Sequence, residues 1–166
     1  MTSIAFEIAF ESADQPEVIA LIAELDAYQD SLYPPEARYA LDLASLIQPN
    51  VVFAVARDGE GRAVGCGAVV LSTEFGEIKR MFVSPVARGQ GLAQQLLARL
   101  EAEAVTRGCG LLTLESGPFQ PEALRLYERC GFERCGPFGG DADDPLSVFM
   151  QKRIGSSVTA LAADPA

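Results

Sequence analysis

The order of periodicities along the chain predicts an α/β (α+β) domain, one mixed sheet covered by helices. Three observations carry this. Ile4, Phe6, Ile8 and Phe10 alternate with the two-residue period of a strand. Leu92, Leu96, Leu97, Leu100 and Ala104 recur at the spacing of one helical face. Strand-like runs precede that helix, and a strand, a helix and a last strand follow it, an order that gives a sheet with helices packed on it.

Each element has its own local signal. Ile4–Phe10 reads as the first strand. Asp14, with Glu17 at the third place after it, reads as a capping box for a helix. Val18, Leu21, Ile22, Leu25 and Tyr28 form that helix's apolar face, and Tyr33-Pro34-Pro35 ends it, because a residue before proline is pushed out of the helical region. A short second helix is expected over Glu36–Leu46, before Pro49. Val51–Ala56 and Ala63–Leu71 read as strands joined by the turn Asp58-Gly59-Glu60-Gly61. Glu77–Val83 is a further strand. The long helix runs to about Arg107, bracketed by Gly108 and Gly110. Leu111–Glu115 is a buried strand, Pro121–Cys130 a helix closed by Gly131, Cys135–Asp144 a loop and Leu146–Lys152 a last strand. Residues 1–154 are expected to form a single domain, with 155–166 as a flexible tail.

One segment points to a ligand. Between the strand ending at Val83 and the helix opening at Leu92 lies Ser84-Pro-Val-Ala-Arg88-Gly-Gln-Gly91. Helix N-termini present unpaired N–H groups, and glycines let an anion come close, so this turn suits a phosphate. It is not a dinucleotide turn, since Gly89 and Gly91 are not followed by the third glycine. Nor is it a P-loop, because Gly-Lys-Ser/Thr is missing.

The turn resembles the Arg/Gln-x-x-Gly-x-Gly/Ala signature of the GCN5-related N-acetyltransferases, with Arg88, Gly91 and Ala93 in the defining places. Downstream, Pro121 to Phe132 is similar to the family's Ala-x-x-Leu-Tyr-x-x-x-Gly-Phe helix. The resemblance covers roughly residues 4–153 and includes small bacterial acetyltransferases with a Leu-Tyr-Pro-Pro-Glu loop. One departure is Gln120, where the family often has Asn. The resemblance implies a mostly antiparallel sheet of six to seven strands with helices on both faces, splayed around acetyl-CoA. It implies a cofactor site made from the N–H groups of Gly89, Gln90, Gly91, Leu92 and Ala93, with Arg88, with main-chain groups of Met81, Phe82 and Val83, and with Gln120 at the place of the Asn. It implies Tyr127 as the acid that protonates the departing thiolate. From position alone Tyr127 is equally a core aromatic. For the base, Glu77 is the first choice, with Glu115 as its rival and water as a third route.

Composition narrows the partners. The formal charge is −10, which disfavours nucleic acid. Residues 1–74 carry net −9, residues 75–107 net +2 and residues 108–166 net −3. The positive segment is the one with the phosphate turn. There is no histidine, and Cys66, Cys109, Cys130 and Cys135 form no C-x-x-C pair, so no metal is expected. No apolar run reaches membrane-spanning length, and no basic-then-apolar leader is read. The expectation is a cytoplasmic enzyme, with a homodimer allowed by the resemblance. It transfers an acetyl group directly from acetyl-CoA to a small-molecule amine in a ternary complex. Alternatives are an idle acyl-CoA-binding sensor or a protein acetyltransferase. Acidic residues in Leu32–Glu36 and in Gly139–Asp144 would attract a cationic amine. Arg38, Lys79 and Arg80 would admit an acceptor that also carries a carboxylate.

Overall fold

The structure, a computed structural model, describes residues 5–34, 42–138 and 145–155. Its strands are β1 (Glu7–Phe10), β2 (Val51–Arg57), β3 (Ala63–Leu71), β4 (Gly76–Val83), β5 (Leu111–Ser116), β6 (Glu133–Cys135) and β7 (Val148–Arg153). The helices are α1 (Pro16–Leu32), α2 (Leu43–Leu46), α3 (Leu92–Thr106) and α4 (Pro121–Arg129). The strands form one seven-stranded sheet in the order β1-β2-β3-β4-β5-β7-β6. Only β4 and β5 run parallel; the other neighbours are antiparallel.

Alternation along the strands assigns the helices to opposite faces. Phe53, Val55, Cys66, Ala68 and Phe82 pack with Val18, Leu21 and Leu25 of α1. Val52, Ala54, Ala56, Val64 and Val69 pack with Leu92, Leu96, Leu97, Leu100 and Ala104 of α3. Leu124 and Tyr127 of α4 join that second core with Leu112, Leu114 and Met150. Burial of each such leucine is worth about 1.5–3 kcal/mol, so the helical repeat read in the sequence is the face that holds α3 on the sheet.

The structure departs from the sequence reading in several places, and β7 for one starts at Val148 and not at Leu146. The expected capping box at Asp14 and Glu17 does not form. Pro16 takes the first helical position, the N-cap falls on Gln15 without a side-chain cap, and Glu17 pairs with Arg57 at 3.0 Å. Pro is preorganised for that first position, so it sets the start of the helix. The second helix is a single turn capped by the Asp42 carboxylate, which accepts from the Ser45 N–H at 2.9 Å; residues 36–41 of the expected helix lie outside the described residues. Strand β6, whose first two residues have no assignment and whose last, Cys135, is expected to open a loop, is a short edge strand on β7. Among the described residues no helix is long and apolar enough to cross a membrane.

Two features of β4 shape the site. Its pairing with β5 covers only Gly76–Ile78 against Leu112–Leu114, so beyond Ile78 the two strands part. On the other side, Lys79 faces Ala68 while Phe82 faces Cys66. Gly67 therefore opposes both Arg80 and Met81, a β-bulge. Arg80 sits at φ 57°, the one non-glycine residue with positive φ among the described residues. A Cβ on Gly67 would collide with the Met81 side chain, so that glycine lets Met81 lie across β3.

Candidate active site

The turn before α3 is built from left-handed glycines. Gly89 has φ 79° and Gly91, the N-cap, has φ 75°. The first helical bond runs from the Gln95 N–H to the Gly91 carbonyl at 3.2 Å. The N–H groups of Leu92, Ala93 and Gln94 thus have no carbonyl within their helix. A Cβ on Gly89 would meet nothing within 4 Å, and one on Gly91 only Gln94 Oε1 at 3.8 Å. The glycines hold open space in front of unpaired donors, and the helix dipole adds positive potential there.

That space is the end of a cleft of about 660 Å³. Arg88, Gly89, Gly91, Leu92 and Ala93 line one end of it, Met81, Phe82 and Val83 its β4 side, and Gln120 and Tyr127 the other end. Gln90 is not among the lining residues; the residue that lines the cleft is Gln94, one turn further on. Arg88 is tied back, its Nε donating to the Val83 carbonyl at 2.9 Å and its guanidinium lying 5.6 Å from the Phe82 ring centre. It braces the turn against the end of β4.

A second, smaller cavity of about 160 Å³ opens where β4 and β5 part. Lys79, Arg80, Glu115, Ser116 and Tyr33 line it, and Leu25, Met81, Gln120, Ala123 and Tyr127 line both cavities. Tyr127 therefore stands at the junction. Its ring packs edge-on against Phe132 at 5.8 Å, and the residue is 8% exposed. Its hydroxyl has no hydrogen-bond partner among the described residues. Burial pushes its pKa up to about 12, because a phenolate would be poorly solvated there.

The two candidate carboxylates are placed differently. Glu115 lines the smaller cavity and accepts from Ser147 Oγ at 2.5 Å. Glu77 is not among the lining residues of either cavity, and its carboxylate lies 3.1 Å from Lys79 Nζ. Both Glu77 and Lys79 lie on the sheet face opposite Ile78, which puts them beside each other at alternate positions.

Sequence reading missed a support of the site. The Tyr33 hydroxyl accepts from the Phe119 N–H at 3.1 Å and donates to Gln120 Oε1 at 3.2 Å. Its ring stacks on Phe119 at 5.3 Å. A Cβ on Gly117 would overlap Tyr33. The end of α1 is thereby locked onto the loop that leads into α4 and Tyr127. The signal was a lone glycine between a strand and a helix, which names no partner. Residues 35–41, with Glu36 and Arg38, and the acidic segment 139–144 lie outside the described residues.

Arg80 anchors the bulge. Its Nη1 is 2.9 Å from Asp26 Oδ1 on α1, with the arginine side chain 6% exposed and the aspartate 36%. Removing one partner of a buried ion pair costs about 3–5 kcal/mol. Because Asp26 is a third exposed, water offsets part of that loss. Asp26→Ala is expected to destabilise the fold by about 2 kcal/mol, read as a lower midpoint in urea with the slope unchanged.

Three of the cysteines are held protonated by burial. Burial pushes the Cys66 thiol up to about 12 and raises those of Cys130 and Cys135. A thiol held protonated is a poor nucleophile.

One region thus brings together a left-handed glycine turn at a helix start, a parted β4–β5 pair and a tyrosine between two cavities. Residues 18–132 match the model of the acetyltransferase (GNAT) family, and the chain belongs to that family. It is 48% identical over 149 residues to a protein of Azospirillum brasilense named IAA acetyltransferase, spanning 89% of this chain and 97% of that one. A Klebsiella pneumoniae protein named as an acyl-CoA N-acyltransferase superposes with a TM-score of 0.77 at 42% identity, over 90% of this chain and 97% of that one. The paiA N-acetyltransferase of Thermoplasma acidophilum, solved with coenzyme A, shares the fold at 16% identity, with a TM-score of 0.69 over 90% of this chain and 99% of that one. The protein is an N-acetyltransferase, of a family that uses acetyl-CoA.

Proposed function

We propose that this protein transfers the acetyl group of acetyl-CoA to the amine of a small molecule held in the smaller cavity, by direct attack with both substrates bound. One observation carries the reading: the two cavities meet at Tyr127, with Met81 and Gln120 beside it.

The residues of the larger cleft fit coenzyme A. The N–H groups of Leu92, Ala93 and Gln94 face a space no Cβ obstructs, which suits a pyrophosphate. Past Ile78 the β5-facing edge of β4 has no strand partner among the described residues, so main-chain groups of Met81, Phe82 and Val83 are available to an extended arm. When bound, acetyl-CoA supplies an acetyl group activated as a thioester. The chain then has three tasks. An N–H of β4 polarises the acetyl oxygen. Tyr127, protonated at neutral pH, donates its proton to the departing sulfur. A carboxylate in the smaller cavity takes a proton from the amine, and Glu115 is better placed for this than Glu77.

The test of the reaction is release of free thiol from acetyl-CoA across amines, amino acids and peptides. Initial rates should give intersecting double-reciprocal lines; parallel lines would mean an acyl-enzyme instead. Coenzyme A that binds but never turns over would leave a sensor. The base is tested separately. Glu115→Gln should lower kcat/KM at least tenfold, as expected for general base catalysis. Glu77→Gln should not, and the opposite pattern would return the role to β4.

A further inference from the structure

We infer that Tyr33 is a positioning residue of the cofactor site: its hydroxyl holds the Gln120 amide so that Nε2–H is presented, where the two cavities meet, to an amide carbonyl of the arm that carries the acetyl group. The inference rests on the acetyl-transfer reading and adds to it a residue of α1's C-terminal end.

The first observation is a directed side chain. Gln120 is the N-cap of α4, and its carbonyl accepts from the Leu124 N–H at 3.1 Å, so the start of the helix fixes its main chain. Its side chain does no capping. Instead, Oε1 accepts from the Tyr33 hydroxyl at 3.2 Å, and that hydroxyl accepts from the Phe119 N–H at 3.1 Å. A count of protons fixes which way the amide points. The hydroxyl has one proton to give, and the Phe119 N–H can only donate. Turning the amide round would set Nε2–H and the Phe119 N–H on one oxygen. The hydroxyl proton would then lack an acceptor, in a residue 8% exposed. Burial also raises the Tyr33 phenol above its usual value, so the proton is kept. Oε1 is thus occupied, and the N–H donors of Nε2 are left over.

The second observation is that these donors can be reached. Gln120 lines both cavities. Its Nε2 has no hydrogen-bond partner among the described residues, yet it is not one of their buried unpaired side-chain atoms, so it has accessible surface. Tyr127 and Met81 line both cavities beside it. The arm of coenzyme A, laid along β4, carries amide carbonyls past this point, and a neutral donor suits a neutral acceptor that leaves water. Tyr33 is itself firmly seated, its ring stacked on Phe119 at 5.3 Å in space that a Cβ on Gly117 would fill. A free glutamine would have three torsions to order on binding. Fixing them beforehand removes that entropy loss from the binding step.

The test is a double-mutant cycle read by titration of coenzyme A and of adenosine 3′,5′-bisphosphate, which lacks the arm. Tyr33→Phe keeps the stacked ring and removes the hydroxyl. It should weaken coenzyme A binding at least fivefold, about 1 kcal/mol, and Gln120→Ala should do the same. The double variant should bind no more weakly than Gln120→Ala alone, because Tyr33 acts through Gln120. Bisphosphate affinity should be equal in all four proteins. Gln120→Glu isolates the donor, since a carboxylate accepts from Tyr33 but has no N–H to give. Its melting temperature should hold while its coenzyme A affinity falls at least fivefold, and it decides the matter where Tyr33→Phe does not fold. Native coenzyme A affinity in Tyr33→Phe or in Gln120→Glu overturns the inference. So does an equal cost of Tyr33→Phe with and without Gln120, or a parallel fall in bisphosphate affinity, either of which makes Tyr33 a support of the loop alone. The expected pattern with no acetyl transfer to any amine upholds the inference and overturns the acetyl-transfer reading instead. A native protein that binds no coenzyme A overturns both.

Discussion

Tyr127→Phe is expected to lower kcat about a hundredfold or more, the usual worth of a general acid, with coenzyme A affinity nearly unchanged. The substitution keeps the ring that packs on Phe132 and lies among Leu112, Leu114 and Leu124 in the core, and removes only the hydroxyl at the junction of the cavities. That hydroxyl has no partner to lose among the described residues, so a stability effect should be small. The protonation state favours the role. Burial raises the phenol to about 12, so the proton is retained through neutral pH, and no alkaline fall in kcat below about pH 11 should come from Tyr127. The same shift has a stability consequence. The folded-state value is raised above the ordinary value near 10. Its contribution is therefore complete below about pH 10 and lost as pH rises toward 12. Single-turnover rates at saturating acceptor are the measurement, because they isolate the chemical step. A Phe variant with native single-turnover rates would make Tyr127 a packing residue.

What the sequence made legible follows the reach of each signal. The apolar repeat of α3 is long, and every predicted position of it, from Leu92 to Ala104, is buried. The glycine turn is legible because Gly89 and Gly91 are needed for backbone conformations a side chain resists. Boundaries were less legible where two local signals competed, as when Pro16 overrode Asp14 at the start of α1. Strand β6 is short and mostly exposed, with a burial pattern that carries no alternation. The bulge at Arg80 could not be read at all. Nothing local distinguishes Lys79-Arg80-Met81 from a regular strand, and the cause lies across the sheet, at Gly67. That bulge sets which β4 side chains reach the smaller cavity. Which of Glu77 and Glu115 lines the smaller cavity was likewise beyond sequence, since it depends on where β4 and β5 part. Tyr33 and Gly117 are 84 positions apart in the chain, and their contact is purely tertiary.

Gly91→Val should weaken coenzyme A binding at least tenfold, about 1.4 kcal/mol, while the protein still folds. Two effects act together. Gly91 has φ 75°, and a residue with a Cβ loses about 1–2 kcal/mol in the left-handed region, more unfavourably so when β-branched. The turn therefore shifts to relieve the strain, and the N–H groups of Leu92, Ala93 and Gln94 no longer converge. The valine also projects into the cleft that Gly91 lines. In the free protein its Cβ meets nothing nearer than Gln94 Oε1 at 3.8 Å, so collapse of the core is not expected, and any clash arises only with a bound pyrophosphate. Gly89→Ala separates the two effects. Its Cβ would lie in open space at φ 79°, so it carries the backbone cost without the branched bulk, and its loss should be the smaller. Titration of coenzyme A into each variant, alongside its melting temperature, distinguishes these contributions. Native affinity in a folded Gly91→Val protein would remove the turn from the cofactor site and leave it as a tight entry into α3.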